Sequence, residues 1–121
     1  MTTLGTMSMV MEVPQSETKF NEAQVAAVAF LARYSGRTLE AYRHDLRMFF
    51  QWAGVHGLEV LQASRPHIEL YRSAMEERQL AASTIDRRFS TVCGFYRFAH
   101  IDGRIPSEPG PVRPSTQGAT R

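Results

Sequence analysis

The sequence predicts an all-α protein, a compact four-helix bundle with flexible N- and C-terminal tails. Two observations carry that prediction: apolar residues recur at spacings of three and four along successive segments, and no segment alternates polar and apolar residues with the period of two that a strand needs. Composition agrees. Hydrophobic residues make up 43% and charged residues 21% of a 121-residue chain, enough for one modest core but rarely for two.

Residues 1–16, MTTLGTMSMVMEVPQS, hold four methionines and no helical stripe, and are expected to form a mobile leader. Residues 106–121, PSEPGPVRPSTQGATR, hold four of the six prolines among Gly, Ser and Thr, the composition of a disordered tail. The folded domain is therefore expected over 17–105.

The first helix is expected from Asn21 as N-cap, with Gln24 three residues on and Phe20 and Val25 as a hydrophobic staple, running to about Arg33. After the link YSG, the second spans about 36–53, capped by Ser35, with Leu39, Tyr42, Leu46, Phe49 and Ala53 as its buried stripe. GVHG at 54–57 ends it. The third, about 66–79, follows Ser64 with Pro66 in its first turn; Ile68, Tyr71 and Met75 face inward, and Glu69, Arg72, Glu76 and Arg78 outward. The fourth starts with Ser83 as N-cap and Asp86 completing a capping box, buries Ile85, Phe89, Val92, Tyr96 and Ala99, with Phe95 widening the stripe, and stops at Asp102-Gly103.

Several classes of function are disfavoured. Cys93 is the sole cysteine, so no internal disulfide forms, and His44, His56, His67 and His100 lack metal-ligand spacing. No apolar run approaches the roughly 20 residues of a membrane span. There is no Gly-rich phosphate loop, G-x-S-x-G elbow or paired-His motif, and adjacent Glu76 and Glu77 point to different sides of a helix. No catalytic residue, metal or cofactor is expected, and the default location is cytoplasmic.

What remains is a distribution of arginine. Lys19 is the single lysine among 14 basic residues, and arginine's planar fork suits bidentate contacts to phosphate and guanine. On the fourth helix Arg87, Ser90, Thr91, Gly94 and Arg97 fall opposite the buried seam, where arginines and hydroxyls could meet a nucleic acid and Gly94 would allow close approach. A solvated face without a partner is the plain alternative. Phe98, near this face, suggests a protein contact. On the second helix Arg37 and Thr38 occupy the first turn, where unpaired N–H groups favour phosphate, and Arg43, Arg47, Glu40, His44 and Gln51 follow along the polar side.

The segments SGRTLEAYRHDLRMFFQWA, HIELYRSAM and STIDRRFSTVCGFYRFA resemble, in order, the N-terminal core-binding domain of tyrosine recombinases, the phage integrase family. The resemblance covers roughly 20–105 and rests on Thr38, Tyr42, Leu46, Phe49 and Trp52, then Ile68 and Tyr71, then Ser83, Thr84, Ile85, Arg87, Arg88, Ser90, Phe95 and Tyr96. It implies a SAM-like helical domain that holds one face of a recombination half-site in double-stranded DNA. Arg37, Thr38, Arg43 and Arg47 on one helix and Ser83, Thr84, Arg87, Arg88 and Ser90 on the other would face the DNA, with Thr91 and Arg97 added by the helical projection. The family's catalytic domain, with its Arg, Lys, His-x-x-Arg and nucleophilic Tyr, has no counterpart in these residues. The chain is thus expected to be a fragment or remnant that binds without cutting, monomeric when isolated. The rival expectations are an interaction module for other recombinase protomers and an inert truncated integrase.

Overall fold

The structure is a computed structural model that describes residues 14–109, with side chains from Glu22 onward. It contains four α-helices, α1 (Pro14–Leu31), α2 (Gly36–Val55), α3 (Arg65–Glu77) and α4 (Ala82–Ile101), and one 3-10 turn, Val60–Gln62; the described residues contain no strand. The all-α bundle read from the stripes is the one observed.

The helix ends differ from expectation in three places. α1 begins at Pro14, so Asn21 lies inside the helix and does not cap it; Val25 is half-exposed, and its expected staple partner Phe20 lies outside the residues whose side chains are described. Proline suits the first helical position because its missing N–H has no intrahelical partner there. The helix thus enters the expected leader by three residues; residues 1–13 and 110–121 lie outside those described. α2 continues through Gly54 to Val55, and of the two glycines in GVHG only Gly57, with φ +67°, takes the left-handed conformation. α4 begins one residue before Ser83, with Ala81 at the N-cap position, so the capping box of Ser83 and Asp86 does not form. Asp86 instead accepts Arg72 Nη2 at 3.0 Å, joining α3 to α4. Arg72 also lies 5.0 Å from the Phe89 ring centroid, so part of the expected solvated face of α3 serves as a lid.

At the start of α3 the capping partner is a histidine. The Ser64 N–H donates to His67 Nδ1 at 3.0 Å, occupying a backbone donor that the helix itself cannot satisfy.

The core is aromatic. Phe49, Tyr71, Phe95 and Tyr96 are buried, with Phe49 edge-on to Tyr71 at 4.9 Å and to Tyr96 at 6.0 Å between ring centroids. Ala53, Ile68 and Val92 fill the gaps between rings, each completely buried. α4 packs against all three other helices, which is why its apolar arc is so broad. A second cluster joins Phe30 of α1 to Tyr42 of α2 and Phe98 of α4, both at 5.9 Å.

Tyr96 ties the 3-10 turn to this core, its hydroxyl donating to the Val60 carbonyl at 2.6 Å. Burial pushes the phenol's pKa well up, so the hydroxyl stays a donor. Tyr96→Phe is expected to cost about 1–2 kcal/mol in urea denaturation, since it leaves the carbonyl without its donor. An unchanged midpoint would mean that the bond contributes nothing.

Candidate nucleic-acid interface

The projected polar faces of α2 and α4 adjoin, and an acid holds them together. Asp45 is completely buried at their interface, where Oδ1 accepts Arg87 Nη2 at 2.7 Å and Oδ2 accepts Thr91 Oγ1 at 2.8 Å. The Arg87 carbonyl is a second acceptor for the same hydroxyl, at 3.1 Å. Asp45 stands three residues after Tyr42 and four before Phe49, on the buried stripe itself. A carboxylate there must find a cation and a donor, because an unpaired charge in the core is costly. That spacing was the signal the sequence reading missed.

Thr91 is therefore a correction: it is buried, not outward-facing, and cannot contact a ligand on the surface. A helical wheel with one buried face fails on α4 because α2 packs against the Arg87–Thr91 side as well. Gly94 is corrected for a similar reason. A Cβ at Gly94 would make an ordinary contact with Phe30 Cε1 at 3.6 Å, so the position faces Phe30 of α1 and not a ligand. Phe98 is partly buried against the core, with the Arg33 guanidinium 4.1 Å from its ring centroid, so the exposed aromatic invoked for a protein contact is covered.

The other candidates divide by exposure. Arg37, Thr38, Arg43 and Arg47 on α2 are exposed, as are Ser83, Arg87, Ser90 and Arg97 on α4, while Thr84 and Arg88 are half-buried. The Arg87 side chain is 49% exposed, and one of its five N–H donors is spent on Asp45, leaving the others for a partner. Arg88 is turned inward: its Nη2 lies 3.4 Å from His44 Nε2, and its Nε is buried without a hydrogen bond. Arg43 and Arg47 border a groove of about 600 Å³ between α1 and α2, floored by Ala27, Leu31, Leu46 and Phe50.

Both helix starts lack a side-chain cap, at Ser35 for α2 and at Ala81 for α4. The first-turn N–H groups beside Arg37 and Thr38, and beside Ser83 and Thr84, are thus available to an anion. Among the described residues no group of His, Cys, Asp and Glu could hold a metal, and no helix is long and apolar enough to cross a membrane.

Fold and site together define a small all-α module whose two central helices pair an acid-locked seam with an arginine- and hydroxyl-bearing surface. Residues 28–103 match the family described as phage integrase, N-terminal SAM-like domain, and the chain belongs to that family. Tyrosine recombinase XerC of Xylella fastidiosa (strain M23) is 34% identical over 76 residues, 62% of this chain and 26% of the relative. Tyrosine recombinase XerC of Treponema denticola is 24% identical over 78 residues, 64% of this chain and 26% of the relative. Tyrosine recombinase XerD of Agrobacterium fabrum is 29% identical over 75 residues, 62% and 23% of the two chains. The chain spans about a quarter of the length of these relatives. No solved structure matches it significantly.

Proposed function

We propose that residues 17–105 form the DNA-binding part of a tyrosine recombinase and hold one face of a recombination half-site in double-stranded DNA. The observation that carries the reading is the pair of helix starts without side-chain caps, on the two helices that also bear the exposed arginines and hydroxyls. Backbone N–H groups at such starts suit phosphate, and adjoining arginines supply the charge and further hydrogen bonds. The seam fixes the spacing of the two surfaces, because Asp45 of α2 is bound directly to Arg87 and Thr91 of α4.

Arg37, Thr38, Arg43 and Arg47 then contact the backbone from α2, and Ser83, Thr84, Arg87, Ser90 and Arg97 from α4. Arg88 supports the interface from within. These residues position DNA; no bond-breaking step is assigned to them, and no cofactor enters. The recombinase names of the relatives support the nucleic-acid partner.

Arg47 tests the reading cleanly, since it is exposed and makes no ion pair among the described residues. Arg47→Ala is expected to lower the slope of log K against log salt for a short duplex by about 1 while moving stability by less than about 0.5 kcal/mol. An unchanged slope removes Arg47 from the interface.

A second reading, docking of another recombinase protomer, draws on Val25 and Val28 of α1, which are 50% and 65% exposed. Concentration-dependent association in size-exclusion chromatography without DNA would favour it; a monomer at all concentrations would dismiss it.

A further inference from the structure

The groove of about 600 Å³ between α1 and α2 has the chemistry of a covered surface. Ala27, Val28 and Leu31 line it from α1 and Leu46 and Phe50 from α2, with Arg43 and Arg47 along the α2 side. Beyond the groove, α1 carries the uncharged surface outward: no residue from Ala23 to Ala32 is charged, although Gln24, Val25, Val28 and Ala32 are exposed. A helix face left to water ordinarily bears charge, so this one lacks a partner.

The charges select the occupant. Arg43 and Arg47 are exposed and make no ion pair among the described residues, and none of the described residues lining the groove is acidic. Two cations beside an apolar floor complement a partner that brings carboxylates next to apolar side chains. The shape selects the partner's conformation. An extended segment would lay unpaired backbone N–H and C=O groups on that floor, whereas a helix satisfies its own. The lining positions recur at spacings of three and four over roughly two turns of each wall, about 11 Å, a length that two turns of a third helix match. A folded second copy offers no such helix. The apolar stripes of its α2, α3 and α4 are buried in its own core, Glu69 and Glu76 of α3 are paired with Arg65 and Arg72, and the free face of α1 carries no acid.

We infer that the groove docks an amphipathic helix of a partner protein, with apolar anchors at i, i+3 or i+4, and i+7 set between α1 and α2 and flanking Asp or Glu side chains meeting Arg43 and Arg47. The docking itself is independent of the DNA-binding reading. Because Arg43 and Arg47 also belong to the proposed DNA-binding face, the docked helix and a duplex exclude one another, and this consequence rests on that reading.

The test is a titration of the 121-residue protein with a synthetic amphipathic helix of about 15 residues, its leucines at the anchor spacing and flanked by glutamates. Amide resonances of Ala27, Val28 and Leu46 and side-chain resonances of Arg43 and Arg47 report the groove. Saturable shifts are expected there, and the same peptide with lysine in place of glutamate should bind at least about tenfold more weakly. Val28→Glu places a carboxylate on the groove wall and is expected to weaken the acidic peptide about tenfold or more; Val28 is 65% exposed, so the fold survives the change, as the amide spectrum away from the groove will show. Arg43→Ala should weaken it about three- to fivefold. A short duplex should displace the bound peptide. A duplex that binds without displacing it overturns the exclusion, and a protein that takes the peptide but no duplex upholds the docking site while contradicting the DNA-binding reading. No saturation up to about 1 mM peptide, equal binding of the lysine peptide, or unchanged binding to Val28→Glu overturns the docking site. Self-association of the protein that shifts the same resonances overturns it as well, by assigning the groove to a second copy.

Discussion

Arg87→Ala is expected to destabilise the domain by about 2–4 kcal/mol, more than Asp45→Asn, which should cost about 1–2 kcal/mol. The asymmetry follows from where each partner sits. Asp45 is completely buried, so removing Arg87 leaves its carboxylate with only the Thr91 hydroxyl as a donor and no compensating cation. Arg87 is half-exposed, so removing the acid's charge lets the guanidinium turn to water. The same half-exposure places the Arg87→Ala cost below that of a fully enclosed ion pair. Urea denaturation of the two variants measures the difference. Equal costs, or a larger one for Asp45→Asn, would show that the seam does not work as a buried acid served by one cation. The result also governs DNA experiments: lost binding in Arg87→Ala combines a missing phosphate contact with a loosened seam, whereas Arg47→Ala reports the contact alone.

Phe49→Ala should have the larger effect on the fold, about 3–5 kcal/mol. Phe49 is completely buried and touches rings from three elements: Trp52 on its own helix, Tyr71 on α3 and Tyr96 on α4. Truncation leaves a cavity at the place where α2, α3 and α4 meet. Against the roughly 5–15 kcal/mol that holds a typical domain together, that is a large fraction. The denaturation midpoint should fall steeply with little change in slope. A loss below about 1 kcal/mol would mean that the three-helix junction closes around the gap, contrary to the close packing seen here.

The number and order of helices were legible because each carries its apolar residues at helical spacing, and turn residues separate them. Helix ends were less so. Asn21 and Ser83 look like caps by residue type, yet α1 already runs past Asn21 and α4 has already begun at Ala82. Local capping preferences are worth about 1 kcal/mol, and packing of the whole helix outweighs them.

In the candidate site, the exposed arginines of α2 and the exposed Arg87, Ser90 and Arg97 of α4 were legible as polar positions. Thr91, Gly94 and Phe98 were misplaced, and for one reason: α4 has three helical neighbours, so little of its circumference faces water. Asp45 was overlooked as an acid inside an apolar stripe, and its two partners, Arg87 and Thr91, one turn apart on α4, were read as outward-facing.

The central claim is that the surfaces of α2 and α4, joined by the Asp45 seam, form one DNA-binding face. The most direct measurement is a titration of the protein with a short duplex at two salt concentrations, followed residue by residue by amide and arginine side-chain resonances. The account predicts binding that weakens steeply with salt, with shifts concentrated at Arg37, Thr38, Arg47, Ser83, Arg87 and Ser90 and absent from Arg65 and Glu69 on α3. Binding that ignores salt, shifts centred on α1 or α3, or no association at low salt would contradict it.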